Sequence, residues 1–178
     1  MVKVVALDFV GVLVKERNIE LNKIEDKLER MYGDNTNDND YLEMGRRITN
    51  DNLIDMTYNI FDKLYEPVDK DIFTKLKEKY NNIIFIVATN HVSYIRSYIE
   101  KTFKDIDDVV ASAEIGKIKP NRDFYEYILN KFSINPDELL FFDDSSYNVE
   151  GALKLGIKAI KVNKDTNLYE EVINNISI

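Results

Sequence analysis

Short apolar runs alternate with helical patterns over most of the chain, and this alternation predicts a parallel sheet covered by helices. The apolar runs fall at residues 4–7, 83–88, 109–110, 139–142 and 158–162. Near-continuous apolar runs are typical of strands that are buried on both faces. Helical spacing predicts helices over residues 69–80, 92–103, 121–132, 148–155 and 168–175. We therefore predict an α/β fold, a doubly wound Rossmann-like parallel sheet with right-handed crossovers.

The segment from residue 15 to residue 66 breaks this alternation and predicts a small helical insertion. It contains no convincing strand, and its apolar residues recur at helical spacing, as in Ile24, Leu28 and Met31. A polar run at residues 33–40 cannot be buried and predicts an exposed loop within the insertion. We therefore expect a Rossmann-like core built from residues 1–14 and 67–178, with residues 15–66 forming an all-helical cap.

Composition narrows the chemistry and the partners. The chain has no cysteine, which excludes a thiolate nucleophile, and one histidine, which excludes a histidine-rich metal site. A formal net charge of −8 argues against general nucleic-acid binding, although a few local cations could still hold a phosphate. No segment resembles a signal peptide or reaches the length of a membrane span. We therefore expect a cytoplasmic protein with no nucleic-acid or membrane partner.

Polar features lie where the predicted strands end or in the loop that follows a strand: Asp8, Thr89-Asn90, Lys119 and Asp143-Asp144. Because the carboxyl ends of parallel strands share one edge of a sheet, we expect these side chains to meet there. Two like charges about 4 Å apart repel by roughly 4 kcal/mol at the dielectric of a protein surface. One lysine hardly balances three carboxylates, whereas a hard divalent cation with oxygen ligands would, which predicts Mg²⁺.

The same residues carry a family resemblance. The order Asp8-x-x-Gly11-Val12-Leu13, Thr89-Asn90, Gly116-x-x-Lys119-Pro120 and Asp143-Asp144 resembles the haloacid dehalogenase-like hydrolase superfamily. The run from Phe141 through Asn148-Val149-Glu150-Gly151-Ala152 to Gly156 does so too. The resemblance covers the chain outside the insertion, and the insertion is similar to that superfamily's small helical cap. It implies a Mg²⁺-dependent phosphatase or phosphotransferase whose substrate is a small phosphorylated molecule.

The resemblance also implies a metal site. Asp8 and Asp144 would bind Mg²⁺ directly, and Val10 would bind it through its backbone carbonyl, a role that any side chain permits. Asp143 would be either a further ligand or a partner of the ligands, and Asn148 would steady this loop.

The implied catalytic residues are Asp8, Thr89, Asn90 and Lys119. Asp8 would be the nucleophile that forms an aspartyl-phosphate. Thr89 would hydrogen-bond the transferring group, and Asn90 would help to orient it. Lys119 would offset the negative charge of the nucleophile and of the phosphoryl group.

Val10 departs from the superfamily pattern. Phosphatases of this superfamily have an aspartate there, which protonates the leaving alkoxide and later activates water. General acid/base groups of this kind contribute ~10²–10⁴-fold to the rate. A valine can do neither, so the sequence leaves three interpretations open.

The first interpretation is a phosphatase or phosphotransferase with impaired turnover that acts on good leaving groups, such as acyl or aryl phosphates. The paired aspartates at 143 and 144 favour it. The second is carbon–halogen or carbon–phosphorus cleavage, and the latter needs a cap lysine such as Lys23, Lys27 or Lys63. The third is a catalytically weak or inactive pseudoenzyme or variant that binds Mg²⁺ and an anion.

A few other side chains admit a functional role beside a structural one. His91 could supply the proton that Val10 cannot, but we expect an exposed histidine in a loop or at a helix start. Arg46 and Arg47 could bind a second anionic group, but a solvated helix face is the expected environment. We expect Tyr125 to pack in the core and Lys161 to be structural.

Overall fold

A computed structural model describes residues 1–33 and 37–176 of the chain. In chain order its strands are β1 (Val4–Leu7), β2 (Val14–Glu16), β3 (Tyr65–Pro67), β4 (Ile84–Thr89), β5 (Asp108–Ala111), β6 (Leu139–Asp143) and β7 (Lys158–Lys161). Five of them form one parallel sheet in the order β5-β4-β1-β6-β7. The predicted α/β fold with a parallel sheet is confirmed, and each sheet strand lies at one of the predicted apolar runs.

The helices lie mostly between these strands. In chain order they are α1 (Lys23–Glu29), α2 (Asp38–Ile48), α3 (Leu53–Leu64), α4 (Ile72–Lys79), α5 (Ile95–Thr102), α6 (Ser112–Ile115), α7 (Arg122–Phe132), α8 (Ser146–Leu153) and α9 (Leu168–Ile176). A 3₁₀ turn at Pro136–Glu138 precedes β6. Within the described ranges, the protein has no helix with the length and apolar character needed to cross a bilayer.

The central strand β1 explains why the apolar runs are continuous. Val5 and Leu7 pack into the cluster on one face of the sheet, with residues of α4, α5 and α9. Val4 and Ala6 pack into the cluster on the other face, with residues of α7 and α8. All four side chains are fully buried. Since successive side chains of a strand point to opposite faces, a strand covered on both faces needs an apolar residue at every position.

The insertion differs from the prediction in one respect. β2 and β3 pair antiparallel at its two ends, so the expectation of no convincing strand there is wrong. Each strand has only three residues, and its partner lies about fifty positions away, so no local alternation marks either one. Between them lie α1, α2 and α3, as helical spacing predicts. The cap boundaries at 15 and 66 stay a prediction.

The predicted polar loop at residues 33–40 is only partly a loop. Residues 34–36 lie outside the described chain. Asn37 caps α2 by accepting the Asp40 N–H at 2.9 Å, and residues 38–40 form the first helical turn. Acidic residues and asparagine are common at helix starts, because they pair with the free N–H groups there. The composition that suggests a loop therefore also suits a helix N-terminus.

The insertion is joined to the core through the loop before α5. Asp38 of α2 accepts the backbone N–H of Ser93 at 2.9 Å and also the Ser93 hydroxyl. Aromatic rings from the insertion, Phe61 and Tyr65, pack against Phe9 and Tyr98 of the core. These contacts hold the helices of the insertion above the carboxyl ends of β1 and β4.

Close packing of α8 against the loop that carries Pro120 generates a stability prediction. A Cβ atom on Gly151 would lie 2.6 Å from the Pro120 carbonyl oxygen and 3.2 Å from Tyr125 Cε2. We expect Gly151→Ala to lower the free energy of unfolding by about 1–3 kcal/mol, although alanine favours helices. Urea denaturation measures the change. Glu150→Ala, on the exposed side of the same helix, should change stability by less than about 0.5 kcal/mol. Equal stability of Gly151→Ala and the parent protein would contradict this packing.

Candidate active site

A buried lysine joins three strand ends at the carboxyl edge of the sheet. The Lys119 ammonium lies 2.8 Å from Asp8 Oδ1 and 2.7 Å from Asp143 Oδ2. It also donates to the Ala88 carbonyl at 2.8 Å, near the end of β4. Asp8, Lys119 and Asp143 are all buried. The loop after β5 thus delivers Lys119 to the edge where β1 and β6 end, as the sequence predicts.

The side chain of Asn90 holds the backbone of Lys119 in place. The Asn90 amide donates to the Lys119 carbonyl at 2.9 Å, and the Lys119 N–H donates to Asn90 Oδ1 at 2.9 Å. The sequence pattern did not reveal this pairing, because it joins two loops 29 residues apart. Thr89 is buried at the last position of β4, opposite Ala111 of β5. The roles predicted for Thr89 and Asn90 toward a transferring group stay predictions.

The carboxylate of Asp143 is held from several sides. Its Oδ1 accepts from the Ser145 N–H at 2.8 Å and from the Asn148 amide at 3.0 Å. Its Oδ2 accepts from the Asn148 amide at 3.1 Å and from Lys119. Asn148 therefore steadies this loop, as expected. The neighbouring Asp144 is exposed.

The acidic cluster has the composition of a site for a hard cation. Oxygen atoms of Asp8, Asp143 and Asp144 all lie within 4.8 Å of one another. Gly11, at φ +85°, lets the chain pass close to this cluster, since a Cβ there would lie 2.3 Å from Asp144 Oδ2. Carboxylate oxygens with room for water are the ligands that Mg²⁺ prefers. The residues present therefore fit Mg²⁺.

Burial has the largest effect on the pKa of each ionisable group in the cluster for which a shift is resolved, and the neighbouring charges come second. Burial raises the pKa of Asp8 to about 7, despite the opposing effect of Lys119, and Asp143 adds to the rise. Burial and then the charge of Asp143 raise the pKa of Asp144. Burial alone would lower the pKa of Lys119, but Asp8 and Asp143 reverse this effect, and its pKa is raised. One ammonium stands among three carboxylates, and its attraction does not outweigh the burial that raises the pKa of Asp8.

Val10 lines a cavity on each of two sides, both bounded by residues of the described chain. One, of about 180 Å³, lies toward the insertion, and its lining includes Val10, Glu16, Glu29 and Asn90. The other is a groove of about 700 Å³ lined by Val10, Gly11 and Asp144 together with Lys15, Lys161 and Lys164. Both cavities therefore meet an apolar side chain at the position where the superfamily phosphatases have an aspartate.

His91 is buried, so the expectation of an exposed histidine is wrong. Its Nε2 lies 3.0 Å from the Tyr65 hydroxyl, and the rings of Tyr32 and Phe61 pack around it. These rings come from the insertion, and no local sequence signal indicates that they cover the loop after β4. Burial lowers the pKa of His91 to about 3. At neutral pH His91 is therefore uncharged, so it does not hold the proton that an acid at position 10 would supply.

The remaining candidates are structural or solvated. Arg46 and Arg47 are exposed on α2, and Tyr125 is buried with its hydroxyl donating to the Asn148 carbonyl at 2.7 Å. Of the three lysines that the carbon–phosphorus interpretation names, Lys23 and Lys27 are exposed, and Lys63 forms an ion pair with Glu25.

The geometry defines a class of protein: an α/β protein with a helical insertion and a carboxylate–lysine centre at the carboxyl edge of its parallel sheet. The chain belongs to the haloacid dehalogenase-like hydrolase family, whose model matches residues 12–162. The resemblance seen in the sequence is thus confirmed. The matched range begins after Asp8 and Val10, so these two residues are placed in the site by geometry and not by the match.

Curated relatives resemble parts of the chain. The chain is 28% identical over 106 residues to acyl-CoA dehydrogenase family member 10 of Mus musculus. The aligned segment covers 60% of this chain and 10% of that protein. The chain is also 26% identical over 138 residues to phosphatase MT3486 of Mycobacterium tuberculosis (strain CDC 1551 / Oshkosh). That aligned segment covers 76% of this chain and 63% of the phosphatase. The chain therefore spans less than two thirds of the length of either relative.

Solved structures match the whole fold. A predicted HAD-like family hydrolase from Porphyromonas gingivalis has a TM-score of 0.78 at 19% identity, covering 100% of this chain and 99% of its own. A HAD family enzyme from Bacteroides thetaiotaomicron, in complex with magnesium and inorganic phosphate, has a TM-score of 0.71 at 15% identity, covering 94% and 97%. At these identities the likeness shows the fold.

The burial of His91 predicts a pH dependence of stability. Its pKa is about 3 in the folded protein and about 6.5 when unfolded, so the unfolded chain binds the extra proton between these values. This contribution to stability is fully present above pH 6.5 and is lost as the pH falls toward 3. We expect a loss of about 2 kcal/mol between pH 7.5 and pH 5, measured by urea denaturation. His91→Gln cannot titrate, so parallel pH profiles of this variant and the parent protein would refute the prediction.

The acidic cluster predicts stabilisation by Mg²⁺. A ligand that binds only the folded state, at a concentration of one hundred times its Kd, raises the free energy of unfolding by about 2.7 kcal/mol. Thermal denaturation detects a change of this size. We expect a larger effect at pH 8 than at pH 6, because Asp8, with a pKa of about 7, binds a proton in competition with the cation. Asp144→Asn should remove most of the effect, whereas Asp123→Asn, an exposed residue on α7, should leave it intact. An unchanged Mg²⁺ response in Asp144→Asn would argue against this site.

Proposed function

We propose that the protein is a Mg²⁺-dependent phosphatase or phosphotransferase that forms an aspartyl-phosphate at Asp8. The observation that carries the proposal is the Lys119 ammonium between Asp8 and Asp143 inside an acidic cluster. The magnesium and phosphate bound to the Bacteroides enzyme and the phosphatase name of the mycobacterial relative support it. The substrate class is a small phosphorylated molecule.

In the first step a carboxylate oxygen of Asp8 bonds to phosphorus, and the bond from phosphorus to the leaving oxygen breaks. The electron pair of that bond leaves with the oxygen. Lys119 holds Asp8 in place and offsets negative charge on the phosphoryl oxygens. Thr89 and the Asn90 backbone would contact the transferring group. Bound Mg²⁺, held by Asp8, Asp144 and the Val10 carbonyl, with Asp143 beside them, would neutralise phosphoryl charge.

Val10 restricts the leaving group. Its side chain cannot protonate an alkoxide, and His91 is neutral at neutral pH. A carboxylate or a phenolate can depart without a proton, because it is stable as an anion. We therefore propose acyl or aryl phosphates as substrates.

Val10 also slows the second step. Water must attack phosphorus while the bond to Asp8 breaks, and the attacking water must give up a proton. An aspartate at position 10 would accept that proton, and valine does not. The phosphoenzyme is therefore long-lived, or it passes its phosphoryl group to another acceptor.

A second candidate function rests on the same residue. An apolar side chain at position 10 also suits a pseudoenzyme that binds Mg²⁺ and an anion without chemistry. The two functions differ in whether phosphorus becomes bonded to Asp8.

An aspartyl-phosphate is the decisive product. We expect acetyl phosphate with Mg²⁺ to add one phosphoryl group to the protein, visible by intact mass and absent in Asp8→Asn. Absence of this adduct with acetyl phosphate and with an aryl phosphate would favour the pseudoenzyme.

Restoring the acid/base group tests the effect of Val10. We expect Val10→Asp to raise steady hydrolysis of 4-nitrophenyl phosphate by ~10²-fold or more, since general acid/base groups contribute ~10²–10⁴-fold. Val10→Asn is the matched control, because asparagine is similar in size to aspartate but cannot exchange a proton. If Val10→Asp gains no more than Val10→Asn, proton transfer does not limit turnover.

A further inference from the structure

The groove of about 700 Å³ opens directly beside the acidic cluster. Val10, Gly11 and Asp144 form its side toward the cluster. The cavity toward the insertion is much smaller, at about 180 Å³. Small-molecule sites usually have volumes of about 300–1,000 Å³. Asp8 itself lines neither cavity, and of the two the groove beside Asp144 leaves more room for the other atoms of a phosphorylated molecule held at the acidic cluster.

Three lysines line this groove: Lys15, Lys161 and Lys164. Lys161 donates to the Ser146 hydroxyl at 2.9 Å, which holds its ammonium in place. Lys15 and Lys164 form no ion pair with any residue of the described chain. About half of the other basic side chains in the described chain form one, for example Lys77 with Asp107.

The charge balance of the groove depends on the cation. Glu16 and Asp165 also line the groove and oppose the lysines in part. Asp144 belongs to the acidic cluster, where a bound cation would neutralise it. The groove then has one more ammonium than carboxylate, beside a site for a phosphoryl group. Lysine is a flexible point charge that suits a carboxylate or a phosphate equally well.

We propose that the substrate carries a second anionic group, and that Lys15 and Lys164 bind this group in the groove. The inference rests on the proposed function for the identity of the reacting phosphoryl group. Beyond the proposed function, it specifies a second charged group elsewhere in the substrate. Together with Val10, it describes an acyl or aryl phosphate that has a further carboxylate or phosphate.

Two aryl phosphates that differ in one charge test the proposal. One is 3-carboxyphenyl phosphate, and the other is its uncharged analogue, 3-carbamoylphenyl phosphate. With Mg²⁺, we expect kcat/KM to favour the carboxylate about fivefold, as two exposed ion pairs allow. The preference should disappear in the double variant Lys15→Met, Lys164→Met. We expect this variant to raise the KM for 3-carboxyphenyl phosphate and to leave the KM for 3-carbamoylphenyl phosphate unchanged. The double variant Lys104→Met, Lys154→Met changes the net charge equally at exposed positions outside the groove and should keep the preference.

A binding measurement separates this proposal from the proposed function. The non-hydrolysable phosphonate analogues of the two probes need no chemistry, and their binding with Mg²⁺ is measured by titration calorimetry. If neither phosphate is hydrolysed and Asp8 gains no phosphoryl group, the proposed function fails. A preference for the carboxylate phosphonate that depends on Lys15 and Lys164 would still support the groove. Equal binding of both phosphonates, or a preference that survives Lys15→Met, Lys164→Met, overturns it.

Discussion

The candidate site depends on the buried ion cluster of Lys119, Asp8 and Asp143. An unpaired charge at this depth costs several kcal/mol, so each of these groups is stable in place only with its partners. The cluster also joins the ends of β1 and β6 to the loop after β5, and Asn90 fixes the backbone of Lys119. One requirement of charge balance therefore sets both the local fold and the chemistry.

The same cluster is incompletely neutralised, and this explains its fit to a cation. The pKa of Asp8 rises to about 7 because burial outweighs the attraction of Lys119. Around this centre Val10 offers no proton, whereas the groove beside it offers the ammonium groups of Lys15 and Lys164. The proposed attack by Asp8 and the proposed binding of anions both have side chains to perform them, whereas position 10 has no group that transfers a proton. The proposed substrates, anionic molecules with leaving groups that depart as anions, follow from this imbalance.

Much of the fold could be predicted from local pattern. The run at 4–7 coincides with β1 because helices cover both faces of the sheet, which demands an apolar residue at each position. Short elements whose partners are distant in sequence carry no such pattern. β2 and β3 have three residues each and are strands only because the two ends of the insertion meet.

The sequence by itself determined the parallel sheet, the order of polar residues at its strand ends and the absence of an acid at position 10, because these features depend on periodicity and on residue identity. Only the tertiary structure decided that His91 is buried under rings of the insertion, that Asn90 holds the backbone of Lys119, and that Lys15 and Lys164 line one groove. These contacts join segments tens of residues apart, and burial and charge pairing arise only when the folded chain brings such segments together.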